Sequence, residues 1–477
     1  MHTGDELPVE SCVARGENSI AAVVVEGGHG ASVAGALAAH QRESDTTVDR
    51  SSVTCTATVA HMTESRRLPD YTATGQGRAP APEVSRAPES VRTEAASVAQ
   101  PGFAVAPRRT NPFLVVLAVL GFIALALVLL VVLAYLIIAL GTAGAVVGGL
   151  LALVPLAIVL LGIRWIDRWE PEPRTALAFA FLWGAGASVL IALAVDAEIQ
   201  NAVAAVGGPG PGFDFFGAAV QAPIVEEVGK GLGVLILFWA VRRHFDGPVD
   251  GIVYAACVGG GFAFTENILY FGQSLLDGST ATTVETFVVR GLMSPFAHVM
   301  FSACLGAALG VAARRTGAFG VLGYFVLGLI PAVLLHAFWN GALFFVGDFY
   351  GYYLLVQVPL FLIGVGIVVM LRGQEKRLTE ERLAEYAAVG WLHPQEVAMI
   401  ASSAGRRQAK AWAQRHGVAA LMAAFIRDAT RLAYARQRIL GDRDAIGARA
   451  DEAALLAALA RSRHALREGG TAPTRGA

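Results

Sequence analysis

FLVVLAVLGFIALALVLLVVLAYLIIA, residues 113–139, runs for 27 residues without a charge. A bilayer core is crossed by about 20 apolar residues of helix, so the stretch is long enough to span it. In hydrocarbon a single segment satisfies its backbone polar groups only through internal hydrogen bonds, which makes it a helix. Similar runs recur at 144–163, 175–195, 216–241, 249–271, 286–312, 319–346 and 352–371, separated by short polar joints. The pattern predicts an all-α, polytopic membrane bundle of about eight transmembrane helices.

The joints carry an orientation. Arg108 and Arg109, then Arg164, Arg168 and Arg174, then Arg242 and Arg243, then Arg314 and Arg315, then Arg372, Lys376 and Arg377 fall at alternate joints. The intervening joints have no lysine or arginine and carry Asp196, Glu198, Asp214, Asp277, Glu285 and Asp348. Short cytoplasmic loops concentrate the basic residues, so both termini are expected in the cytoplasm of a cell-membrane, multi-pass protein.

Composition agrees. The chain has 477 residues, of which 55% are hydrophobic and 16% charged, too apolar a balance for an ordinary soluble protein. Cys12, Cys55, Cys257 and Cys304 form no CxxC pair and no metal-ligand spacing. A net charge of −1 with no basic run or zinc-finger spacing gives no nucleic-acid partner; the lipid bilayer is the partner that composition names. Residues 1–110, rich in Ser, Thr, Ala, Gly and Pro, are expected to be a disordered extension without a secretory signal, Met62 opening a shorter reading. Residues 111–373 form the membrane domain. Residues 374–477 turn charged and Ala-rich with apolar residues at helical spacing, which predicts a small helical cytoplasmic domain with Trp391, Leu392 and Pro394 at a turn.

Against this background APIVEEVGKG, residues 222–231, is an anomaly. A carboxylate at mid-bilayer costs at least ~2.5 kcal/mol on insertion scales, so ionisable groups there face protein or water and tend to serve function. Glu226, Glu227 and Lys230 lie on the fourth span, Glu266 and Asn267 on the fifth, Arg290, His298 and Ser302 on the sixth, and His336 and Asn340 on the seventh. Lys230 follows Glu226 by four residues and Glu227 by three, one helical turn from either. The two glutamates diverge by about 100° around the axis, so they are expected to divide the work. One is anchored by Lys230 while the other enters a cavity and accepts a proton. His336 and Asn340, Phe262 and Glu266, and His298 and Ser302 each share a helix face. Gly259, Gly260 and Gly261 allow a neighbouring backbone to approach. A lone intramembrane His or Asn is ordinarily interhelical glue; two adjacent acids with one base are poorly explained that way. Arg290, near a span end, is expected to snorkel toward the interface, and Trp339 to pack.

These motifs, EExxK at Glu226, Glu227 and Lys230, FxxxEN at Phe262, Glu266 and Asn267, AHVMFS around His298, and HxxxN at His336 and Asn340, resemble the PrsW family of intramembrane proteases within the wider CAAX-protease and Abi group. The loop RWIDRWEPEPR, with Asp167, Glu170, Glu172 and Pro173, also looks like that family's acidic-proline loop. The resemblance covers about residues 111–371 and implies cleavage of membrane-anchored proteins, anti-sigma factors for example. It implies two mechanisms. In a glutamic one, favoured without a cofactor, Glu226 or Glu227 activates water, His298 assists, and His336 with Asn340 stabilises the oxyanion. In a metal one, zinc is held by His298, His336 and a carboxylate, Glu227. Where CAAX-type members commonly have FxxxH this chain has FxxxE, which leaves Glu266 to bind, to position or to replace that histidine. An ion-coupled transporter using the same carboxylates is the competing class, but its expected related halves are not evident. A silent membrane scaffold is a third, and it leaves the glutamate pair unexplained.

Overall fold

The computed structural model describes residues 112–471 apart from 211, 243, 277–278, 317 and 442–444. The expected disorder of residues 1–110 lies outside the described residues. All regular structure among the described residues is helical.

Helix α1 covers Pro112–Ile166 and is interrupted at Gly141, whose backbone (φ 68°, ψ 165°) no helix contains. The two limbs run in opposite senses along the bundle: Val128 and Leu129 meet Gly186, whereas Leu140 and Gly144 meet Gly272. Val159, further down the second limb, lies against Gly260. Helices α2 (Arg174–Leu182) and α3 (Val189–Ala205) are joined by a π-helical turn, Trp183–Ser188. A short α4 (Phe213–Phe216) and a second π turn, Gly217–Gln221, lead into α5 (Ala222–Ala240), which carries the glutamate pair. Then follow α6 (Pro248–Leu276), α7 (Thr280–Thr286) with a third π turn at Phe287–Met293, α8 (Ala297–Arg315) and α9 (Ala318–Gly341). A fourth π turn, Tyr353–Gln357, joins α10 (Phe349–Tyr352) to α11 (Val358–Ala388).

Among the described residues, six helical segments are long and apolar enough to cross a membrane: Val115–Ile166, Arg174–Ala205, Pro248–Leu276, Thr280–Arg315, Gly320–Phe344 and Phe349–Ala388. Most expose their apolar side chains outward, as lipid-facing helices do; α6 is enclosed on nearly every side. Its Val253 and Tyr254 join Leu305, Leu309 and Phe325 in the main core. Helices α6 and α8 pack backbone to backbone. A methyl group added at Gly251 would lie 2.0 Å from the carbonyl oxygen of Gly306, and one at Gly259 would lie 2.7 Å from that of His298. This small-residue contact fixes His298 against α6.

The boundary expected after residue 373 falls inside α11, which continues through it to Ala388. Beyond a turn containing Trp391 and Leu392 come α12 (Pro394–Ala401), capped by His393, α13 (Ser403–Arg415), capped by Ser402, α14 (Ala419–Leu440) and α15 (Ala445–Thr471). Together with the end of α11 they enclose a second core around Leu383, Tyr386, Ile400, Phe425 and Leu432. This helical unit is tied to the loops of the membrane bundle. The Arg406 guanidinium stacks 3.5 Å from the Trp169 ring centre and donates to the Trp169 carbonyl at 2.7 Å, and Arg438 pairs with Asp246 at 2.7 Å.

Candidate active site

Lys230 is fully buried, and its ammonium has three partners: Glu226 Oε2 at 3.0 Å, Glu227 Oε1 at 2.9 Å and His298 Nδ1 at 3.0 Å. All three N–H groups are thereby used. The Phe262 ring lies beneath it, 3.9 Å from the ring centre, adding a cation–π contact.

The glutamates diverge as the helical period requires. Glu227 has three partners: besides Lys230, Oε1 meets His336 Nδ1 at 3.1 Å, and Oε2 accepts from Ser302 Oγ at 3.0 Å. Glu226 instead turns Oε2 toward both imidazoles, 3.9 Å from His298 Nδ1 and 3.9 Å from His336 Nε2. Lys230 therefore holds both acids, and Glu226 is the one that faces the histidines.

Hydrogen-bond roles follow from chemistry. A carboxylate only accepts, so His336 Nδ1 donates to Glu227, leaving Nε2 with a lone pair directed toward Glu226. His298 Nε2 lies 2.7 Å from Glu266 Oε2 and donates there, leaving Nδ1 as the acceptor that Lys230 meets. The two rings stand perpendicular, 5.2 Å apart, and His336 stacks on Phe301 at 4.6 Å. Glu226, His298 and His336 thus present one oxygen and two nitrogens within 4.8 Å of one another. A carboxylate with two imidazoles is the donor set of catalytic zinc sites, and each imidazole's other nitrogen is held by a carboxylate, as metal-ligating histidines usually are. The donor types fit a divalent metal, which would take the place of the Lys230 ammonium at Glu226 Oε2 and His298 Nδ1, each now 3.0 Å from Nζ. The sequence grouped Glu227 with the histidines as ligands; the geometry groups Glu226 with them and puts Glu227 behind His336.

A cavity of about 320 Å³ opens beside this cluster, lined among others by Glu266, Arg290, His298, His336, Trp339 and Asn340. Asn340 donates to the Ala218 carbonyl at 3.1 Å, across to the π turn that precedes the acid pair. Arg290 departs from the snorkelling expected of it. The π turn Phe287–Met293 shifts the helical register and turns it inward, where it donates to Glu266 Oε2 at 2.6 Å and stacks 3.6 Å over Tyr270. Asn267 accepts from Arg290 Nε at 3.4 Å. Ser302, one turn beyond His298 on the same face of α8, donates to Glu227. Trp339 packs edge-on against Phe301 at 5.7 Å while also lining the cavity.

The acidic-proline loop lies elsewhere. Glu172 accepts from Tyr254, twelve residues before Glu266 on α6, or about 18 Å along the axis. Asp167 accepts from the Glu172 backbone at 3.0 Å. Burial pushes the Asp167 carboxyl up to about 6, and raises Glu170 and Glu172 well above the usual carboxylate range, with Asp250 adding to the effect for both.

The chain is thus a polytopic helical membrane protein with a Glu/His/His cluster buried among its apolar helices. Residues 172–364 match the family described as PrsW family intramembrane metalloprotease. Among curated proteins, it is 39% identical over 89 residues to the protein named Protease PrsW from Geobacillus kaustophilus (strain HTA426), covering 19% of this chain and 36% of that one. It is 30% identical over 154 residues to the Protease PrsW of Bacillus subtilis (strain 168), covering 32% of this chain and 66% of that one. The similarity thus spans between about a third and about two thirds of these relatives' own length. No solved structure matches the chain.

Proposed function

We propose that this protein is an intramembrane endopeptidase that hydrolyses a peptide bond of a membrane-anchored protein, with Glu226, His298 and His336 at the hydrolytic centre. The observation that carries this reading is the convergence of one carboxylate oxygen and two imidazole lone pairs beside a cavity inside an apolar helical bundle. The family, the relatives named Protease PrsW and that cluster support it together.

The membrane reading takes eight crossings. Six segments qualify on length and composition; α1 is two limbs that turn at Gly141, and α5 misses only because of its own three charges, which are buried. The alternating basic joints then put both termini in the cytoplasm. Residues 374–477, in this reading, are a cytoplasmic extension.

Glu226, His298 and His336 would hold a divalent ion, zinc being suited to two imidazoles and a carboxylate. Bound there, the metal supplies Lewis-acid polarisation of the scissile carbonyl and a water that ionises near neutral pH. The protein's own groups do the rest. Glu227 fixes His336 by its Nδ1–H, Lys230 offsets the charge of the acid pair, and Asn340 offers an amide beside the cavity for the developing oxyanion. Phe301, Trp339 and Phe344 limit water at the cavity wall.

A second reading has one observation in its favour. The Lys230 ammonium already stands 3.0 Å from both Glu226 Oε2 and His298 Nδ1, a built-in cation among the same atoms. In a metal-free glutamic mechanism Glu226 is then the base that activates water. The test is cleavage of single-span reporter proteins by the full chain in liposomes, before and after a strong chelator and with zinc restored. Loss on chelation and recovery with zinc is expected; chelator-resistant cleavage by metal-free protein selects the glutamic reading, and no cleavage of any reporter tells against both.

A further inference from the structure

We propose that Glu266 is a positioning residue which holds His298 in the ring orientation and tautomer that present Nδ1 to the cluster, with Arg290 in turn holding Glu266. The inference rests on the reading of Glu226, His298 and His336 as the hydrolytic centre and extends it to the FxxxEN motif.

Arg290 alone explains only why a charge at Glu266 is tolerated. The guanidinium is engaged three ways, with Glu266 Oε2, Asn267 Oδ1 and the Tyr270 ring, so the arginine is itself fixed. It leaves Glu266 Oε2 a second acceptor direction, and His298 Nε2 occupies it at 2.7 Å. An imidazole that donates through Nε2 has its lone pair on Nδ1, and Nδ1 is the nitrogen that faces the cluster, 3.0 Å from Lys230 Nζ and 3.9 Å from Glu226 Oε2. The other histidine is arranged in the mirror sense: Glu227 takes the Nδ1–H of His336 and leaves Nε2 facing Glu226. Two acids on two different helices thus set two opposite tautomers, and only this pair of tautomers directs both lone pairs at one place. The Gly259 contact holds the backbone of His298; Glu266 holds its ring.

The experiment measures zinc affinity of the purified full chain by competition with a chromophoric chelator, alongside reporter cleavage at limiting and saturating zinc. The double variant Glu266→Leu/Arg290→Leu removes both charges together, so neither is left buried alone. It is expected to bind zinc about 10- to 100-fold more weakly than the wild type, as outer-shell changes typically do, and to recover cleavage as zinc is raised. Glu266→Gln, whose amide oxygen still accepts from His298 but without the carboxylate charge, is expected to lose less zinc affinity than the double variant. Zinc affinity of the double variant equal to that of a zinc-binding wild type overturns the inference and leaves the proposed function standing. A wild type that binds no zinc contradicts the metal reading and takes this inference with it.

Discussion

His336 Nδ1 lies 3.1 Å from Glu227 Oε1, and the opposite nitrogen of the same ring is 3.9 Å from Glu226 Oε2. One imidazole therefore bridges two adjacent glutamates of one helix, and the bridge assigns them different work. Glu227→Gln keeps the shape but offers His336 an amide where a carboxylate stood. Zinc affinity is expected to fall about 10- to 100-fold, with cleavage at saturating zinc falling less. Chelator competition against wild type checks this.

Lys230 gives a stability prediction. Replacing it by Met leaves Glu226 and Glu227 buried without their shared cation, and breaking a buried ion pair from one side costs about 3–5 kcal/mol. A marked fall in the unfolding midpoint in detergent is expected. Lys230→Met combined with Glu227→Gln is expected to recover part of the loss, since one negative charge goes with the positive one.

The contact of α6 with α8 gives another. A methyl at Gly259 would stand 2.7 Å from the His298 carbonyl oxygen, so Gly259→Ala must push α8 away from α6. Overpacking of this kind costs about 1–3 kcal/mol. Cleavage is expected to fall at least tenfold while the protein remains folded and monodisperse, because a displacement of this size moves His298 off its partners. Gly121→Ala, at a position with open space around it, is the control.

The loop joining the bundle to the C-terminal helices gives a pH prediction. Asp167 is raised by burial from 3.8 to about 6, with Arg164 and the Glu172 amide opposing, and Glu170 and Glu172 are raised further. Carboxyls raised on folding contribute stability that is full below their unfolded values and is lost as pH rises through their folded ones. For Asp167 that loss falls between about pH 4 and 6, and for the two glutamates at higher pH. Hydrogen exchange of residues 167–173 is expected to be slower at pH 5 than at pH 8 after correction for intrinsic rates. The reverse order, or no difference, contradicts the burial of these groups.

Much of this was legible in the chain. Apolar runs with alternating basic joints call for a helical bundle, and the energetic cost of charge in lipid singles out Glu226, Glu227, Lys230, Glu266, His298 and His336 before any geometry is known. Those residues meet in space. What sequence could not supply was rotation. Spacing allows Lys230 to reach either glutamate, and it reaches both; which acid faces the histidines depends on how α5 is turned against α8 and α9. Arg290 read as a snorkelling residue because its distance from the span end is all that a sequence offers. The π turn at Phe287–Met293 that brings it inward has no periodic signature. Composition changes near residue 373, and α11 runs through that change without a break.

The central claim is that Glu226 works with His298 and His336 to hydrolyse a peptide bond within the membrane. It is tested most directly by the rate at which Glu226→Gln cleaves a reporter that the wild type cleaves in reconstituted liposomes. Both mechanisms need this carboxylate, as ligand or as base, so the expected result is a loss of at least about 10²-fold with the protein folded and Lys230 still paired to Glu227. Cleavage by Glu226→Gln at the wild-type rate would contradict the account.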